Sequence, residues 1–196
     1  MLSDTTINLG PYMLAGLVVC IAVFSVLGVY NRLVQLRNLV SESWRDVDTE
    51  LQRRYDLIPN LVNTVKGYAA HERQIFDSVA SLRTAAMQAQ RTAAAQTPTE
   101  GALGSAVNGL MAVAERYPDL KASDSFLALQ HELVNTEDRI QVARRVYNAN
   151  VRRYNTLVQA FPSLLIARMN HFEGATYFDP DASQAGIANP PSMTSV

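Results

Sequence analysis

Two dipeptides carry the residue types of a hydrolytic or metal site, His71-Glu72 and His131-Glu132. A zinc protease helix needs His-Glu-x-x-His, so that two imidazoles one turn apart reach one metal while the glutamate activates a water. The second histidine is missing from both, its place taken by Ile75 and Asn135. A di-iron bundle needs Glu-x-x-His on two helices, but the residues three before His71, His131 and His171 are Tyr68, Ala128 and Arg168. The single cysteine, Cys20, sits in an apolar run with no base nearby and no partner for an intrachain disulfide. There is no Gly-rich phosphate loop and no Gly-x-Ser-x-Gly elbow. These residues predict no enzyme, no metal, no cofactor and no small-molecule substrate.

The remaining polar clusters suit recognition. Arg53, Arg54, Tyr55 and Asp56 precede Pro59 and Asn60. Proline is tolerated in the first turn of a helix but not inside one, so Pro59 predicts a corner and the six residues a partner-docking tip. The bland alternative is corner stabilisation by solvated charge. Arg144-Arg145 and Arg152-Arg153 recur eight apart and read as a solvated face, or as a contact for anionic lipid or a neighbouring subunit. A net charge of −1 over 196 residues leaves no positive excess for nucleic acid.

What must position these residues begins with the stretch from Pro11 to Tyr30. No charged side chain occurs between Thr5 and Asn31, and about 20 apolar residues suffice to cross a bilayer as a helix. Tyr12 and Tyr30 sit at the two ends, where amphipathic rings suit the headgroup level. A cleaved signal fits less well, because a basic leading segment is lacking, the run is too long and no small-x-small site is followed by a polar mature start. The first ten residues have no Lys or Arg, whereas Arg32, Arg37, Arg45, Arg53 and Arg54 follow the run. That bias predicts an outer N-terminus and a cytoplasmic domain.

Downstream, Leu33, Leu36, Val40, Trp44, Val47, Leu51, Tyr55 and Ile58 form one helical stripe, and nothing before Pro59 breaks the helix running on from the span. A second helix follows with Leu61, Val65, Phe76, Val79 and Leu82, fading in the Ala/Gln-rich stretch 85–96. Thr97-Pro98-Thr99-Glu100 reads as a capping box opening a third. A fourth carries Phe126, Leu133, Ile140, Tyr147, Tyr154 and Phe161 until Pro162 stops it. Trp44, Phe126, Ile140, Tyr147, Tyr154 and Phe161 are the expected core. The fold class is all-α: an N-terminal transmembrane helix continuing into a long antiparallel, about four-helix, up-down bundle. Its parts are a short extracytoplasmic tail (1–10), the span (11–31), the bundle (32–178) and a flexible tail (179–196). Tyr30, Arg32, Leu164, Leu165, Ile166 and Arg168 would meet the membrane surface, though Leu164–Ile166 equally suits capping the core. With its corner at Pro59 the first soluble helix is short for its partners, so the bundle must lean or its middle helices be offset.

Tyr30-Asn-Arg-Leu-Val34, Trp44, Arg53-Arg-Tyr-Asp-Leu-Ile-Pro59, Lys66-Gly-Tyr-Ala-Ala-His-Glu72, Tyr117-Pro-Asp-Leu-Lys121, Leu129-Gln-His-Glu-Leu133, Thr136-Glu-Asp-Arg-Ile140 and Arg153-Tyr-Asn-Thr156 occur in this order. Over about residues 28 to 178 the chain resembles the LemA family of bacterial membrane proteins. The resemblance implies an anchored helical bundle with its domain inside, and no established enzymatic activity. The function expected is a scaffold of the bacterial cytoplasmic membrane, in contact with the bilayer and with copies of itself. The alternative is an adaptor for a membrane-protein partner such as a protease or transporter, with a metal-binding bundle as the remotest reading.

Overall fold

Helix formation starts with the apolar run and continues far past the expected corner. The computed structural model describes residues 10–89 and 92–180; the expected tails, 1–10 and 179–196, lie outside these except for Gly10, Asp179 and Pro180. Helix α1 runs unbroken from Gly10 to Tyr68. Its apolar part is long and apolar enough to cross a membrane. Helices α2 (Arg73–Gln88), α3 (Ala93–Ala114), the short α4 (Pro118–Lys121), α5 (Asp124–Gln159) and α6 (Ser163–Met169) follow. The described chain is all-α, with the up-down order expected.

The corner falls at residues 69–72, not at Pro59, which lies inside α1. A proline within a helix removes the helical donor of the carbonyl four residues earlier, here that of Tyr55. Arg83 of α2 fills the gap: its Nε donates to the Tyr55 carbonyl at 2.7 Å. This distant side chain offsets part of the cost of proline within α1. Pro98 likewise lies inside α3. That helix starts five residues before it, with Thr92 as N-cap, its Oγ1 accepting from the Ala95 N–H at 3.4 Å. The expected capping box at Thr97 is thus not an N-terminus, which leaves Glu100 free for another role.

Helices α1 and α5 form the antiparallel spine. Arg54 lies opposite Glu137 (2.9 Å), Trp44 opposite Tyr147 (ring centroids 5.1 Å), and Leu33 shares a cluster with Val158. The pairing offset is constant along the spine, which carries Phe161 to the level of Tyr30. The hairpin of α2 and α3 covers only the distal part, since its lower bend, at Thr92 and Ala93, meets Trp44 and Tyr147. This is the offset arrangement, and it removes the reason for the bundle to lean. From Asn31 to Tyr68 the spine half of α1 is about 57 Å, close to the roughly 54 Å of α5.

The main core joins Val47, Leu51, Ile58, Leu61 and Val65 of α1 to Val79, Leu103, Leu110, Phe126 and Ile140. A smaller core at the foot contains Leu33, Leu36, Tyr154, Val158, Ala167 and Phe172. Phe126, Ile140, Tyr147 and Tyr154 are buried as expected, and Trp44 is half-buried against Tyr147 and Phe178. Phe161, expected in the core, instead lies beyond the end of α5 and is 81% exposed, because the chain turns there into α6.

Candidate functional site

The six residues expected at a docking tip are split by the helix they share. Arg54 and Tyr55 point inward, only 5% and 2% exposed. Arg53, Asp56 and Asn60 point outward, and Pro59 is half-buried. Arg53 pairs with Glu50 on its own helix at 3.5 Å, and Asp56 accepts from Gln52 Nε2 at 2.9 Å. None of the six is at the tip of the molecule. The distal end is built from the Ala69–Glu72 corner and the residues around α4, tied by Arg116 to Glu72 at 2.7 Å.

The inward pair builds the most charged part of the core. Arg54 Nη2 donates to Glu100 of α3, Tyr55 Oη donates to the other Glu100 oxygen, and Arg54 Nη1 donates to Glu137 of α5 at 2.9 Å. One guanidinium thus joins three helices through its planar fork. Arg54 Nε and Gln96 Oε1 are buried without a hydrogen-bond partner. A cavity of about 230 Å³ adjoins the cluster, lined by Glu100, Gly104, Glu137, Ile140 and Phe178 among others. The cluster acts as a lock that ties α1, α3 and α5 together.

A second device follows α6. The helix ends in a Schellman motif, with the Phe172 N–H donating to the Ala167 carbonyl at 2.9 Å and the His171 N–H to the Arg168 carbonyl at 3.3 Å. His171 takes the left-handed position that the motif requires, φ 54°. The chain then runs as an extended strap back along α5. Asn155 donates to the Ala175 carbonyl and accepts from the Ala175 N–H, both at 2.8 Å. Asn148 does the same for Phe178, at 2.9 and 3.0 Å. The two asparagines are seven residues apart, about 10 Å along a helix, and Ala175 and Phe178 are about 10 Å apart in an extended chain. Tyr147 Oη adds a bond to the Thr176 carbonyl at 2.7 Å, and burial pushes its phenol up to about 12. Burial also raises Tyr154, against an opposing pull from Arg37.

At the foot, Tyr30 stacks edge-on against Phe172 (5.8 Å), so α6 and the strap start beside the end of the apolar run. Arg32, Leu165 and Arg168 are exposed; Leu164 and Ile166 are half-buried, with Ile166 packed on the small core. The three histidines are exposed in different places. Among the described residues no group of three or more His, Cys, Asp or Glu is placed to hold a metal.

The family model described as the LemA family matches residues 43–193. The chain belongs to the LemA family. The match begins within α1 and reaches past residue 178, into the segment expected to be a tail. Magnetosome protein MamQ 2 of Paramagnetospirillum magneticum is 28% identical over 174 residues, covering 76% of this chain and 64% of the relative. Magnetosome protein MamQ of Magnetospirillum gryphiswaldense is 26% identical with the same coverage. Protein LemA of Metamycoplasma hominis is 22% identical over 145 residues, 74% of this chain and 66% of the relative. The chain thus spans somewhat less than two thirds of the length of the magnetosome relatives. Family and fold together describe a membrane-associated helical protein.

Proposed function

We propose that this LemA-family chain is a non-catalytic scaffold of the bacterial cytoplasmic membrane, crossing it once and standing its bundle on the inner face beside copies of itself. The observation that carries the reading is the continuity of α1, one helix from Gly10 to Tyr68. The anchor and the central helix of the bundle are the same element, so the bundle's direction is set by the anchor. Inside placement rests on the arginines after the apolar run, Arg32 to Arg54, against none before it.

Self-association is supported by the outer face of α5. Leu127, Val134, Val142 and Val146 are exposed there. Beside Val142 and Val146 lies a groove bearing Asp46 and Glu50 of α1 with Asp138 and Arg139 of α5, acidic on balance. The opposite flank of α5 bears Arg145 and Arg152 beside the Arg144–Asp179 pair (3.6 Å). Asp46 and Arg145 stand two residues from the contacting pair Trp44 and Tyr147, so acidic and basic flanks lie at the same height. Copies held parallel by one membrane therefore meet acidic edge to basic edge, at the raised effective concentration of a shared surface.

The test is disulfide trapping in native membranes, with Val142→Cys in a Cys20→Ser background. Bands at multiples of the chain mass are expected. A clean monomer would contradict the scaffold reading, and a trapped foreign membrane protein would favour an adaptor. Protease added to sealed vesicles checks the topology: the bundle should be cut in inverted vesicles and spared in right-side-out ones.

A further inference from the structure

At the foot of the bundle α1 and α5 leave a groove of about 420 Å³. Arg32 stands on one wall, Arg152 and Arg153 on the other, over a floor that includes Leu36, Leu157 and Ala160. No carboxylate lines it. Among the described residues the ion pairs engage other side chains, and Arg32 reaches only Gln35, at 3.5 Å. Three arginines lining a half-apolar groove that holds no carboxylate fit an amphiphilic anion, and the nearest acid on the Arg152 side, Asp179, lies in the neighbouring groove with Arg144 and Arg145.

The level of the groove identifies its source. The apolar run ends at Tyr30, and Arg32 and Leu36 stand about 3 and 9 Å further along the helix axis. The headgroup layer outside the hydrocarbon is about 5–7 Å thick on each side. By the constant offset of the spine Gln159 stands level with Arg32, while Arg153 and Arg152 stand level with Asn38 and Leu39, about 12 and 14 Å beyond Tyr30, and their long side chains meet the headgroup layer from its outer edge. Just beyond the end of α5, Phe161, Leu165 and Met169 recur at every fourth position, 81%, 55% and 80% exposed. Leu165 and Met169 lie on the outer side of α6, whose inner side, Ser163 and Ala167, is buried, and with Phe161 in the turn before it they make an apolar ledge. A soluble surface gains nothing from such a ledge, whereas an interfacial helix needs one.

We propose that this groove binds the headgroup of an anionic phospholipid in the leaflet next to the bundle. Its phosphate sits among Arg32, Arg152 and Arg153, and an acyl chain lies towards the ledge of Phe161, Leu165 and Met169. The site gives the rod a second hold on the bilayer beside its anchor. The inference rests on α1 crossing the membrane as proposed above.

The full chain would be placed in nanodiscs of mixed phosphatidylcholine and phosphatidylglycerol, and the relative association of spin-labelled versions of the two lipids measured. Each arginine near the surface contributes about fivefold, so the wild-type chain should prefer phosphatidylglycerol by about tenfold or more. The triple variant Arg32→Gln/Arg152→Gln/Arg153→Gln should fall to within about twofold of no preference. A control with the same charge change elsewhere, Arg45→Gln/Arg73→Gln/Arg139→Gln, should keep the preference. Equal preference in wild type and triple variant, or equal loss in both variants, would overturn the site. A second readout is Phe161→Trp in a Trp44→Phe background. Its emission should be quenched by phospholipids brominated near the top of the acyl chain, and an unquenched Trp would overturn the ledge. Incorporation without lipid preference refutes the site alone, whereas failure to enter nanodiscs refutes the anchor as well.

Discussion

Replacing Arg54 by Met keeps most of the side-chain volume and removes the charge. Glu100, 2% exposed, is then left as a buried carboxylate held by the Tyr55 hydroxyl. Breaking a buried ion pair from one side costs about 3–5 kcal/mol. The Glu137 arm adds little, because that side chain is 40% exposed and exposed pairs contribute under about 1 kcal/mol. For a chain of this size the loss lowers Tm by roughly 6–20 °C. Arg54→Met/Glu100→Gln removes the orphaned charge and should recover at least half, giving a coupling of about 2 kcal/mol. The assay is denaturant unfolding of the full chain in mild detergent, followed by helical circular dichroism and by emission of Trp44, the only tryptophan. A loss under about 1 kcal/mol for Arg54→Met, or single-variant losses that simply add, would refute the lock.

Three further outcomes follow from the packing. Tyr147 titrates near pH 10 when unfolded and near 12 when folded, so above pH 10 the unfolded chain ionises first. About 2–3 kcal/mol of stability, intact below pH 10, should be lost between pH 10 and 12, and base-unfolding curves of Tyr147→Phe should show a smaller loss. Arg83→Met removes the charged hydrogen bond from Arg83 to the Tyr55 carbonyl, and should cost about 1.5–3 kcal/mol in the same denaturation assay. His171→Gly relieves the left-handed position that ends α6, and melting should show it neutral or stabilised by up to about 1 kcal/mol.

The helices and their order are legible in the sequence because their stripes are periodic, and the constant offset of α1 against α5 follows from two long regular stripes. The corner expected at Pro59 is absent from the fold. Proline's cost is local, but part of what offsets it here is Arg83, which no local pattern reveals. The buried cluster is partly legible. Extending the α1 stripe from Val47 through Leu51 to Ile58, Leu61 and Val65 places Arg54 on the buried face. Carrying the α3 stripe back from Leu110 through Val107 and Leu103 places Glu100 and Gln96 there too. An acid on an apolar stripe calls for a buried cation, and Arg54 is the one that answers it. Thr97-Pro98-Thr99-Glu100 hides this by imitating a helix start. The strap is not legible, because Asn148 and Asn155 bind backbone groups of Phe178 and Ala175 and so leave no side-chain pattern in the segment they hold.

The most direct test of the account is one distance in a bilayer. Spin labels would be attached at Asn31→Cys and Lys66→Cys in the Cys20→Ser chain, both positions being exposed, and their separation measured by pulsed dipolar spectroscopy. A single helix running through Pro59 predicts a narrow distribution near 52 Å, from about 1.5 Å per residue. A corner at Pro59 would fold the last residues back and give a peak near 30–35 Å, from about the same rise. That result would contradict the continuous rod on which the scaffold reading stands.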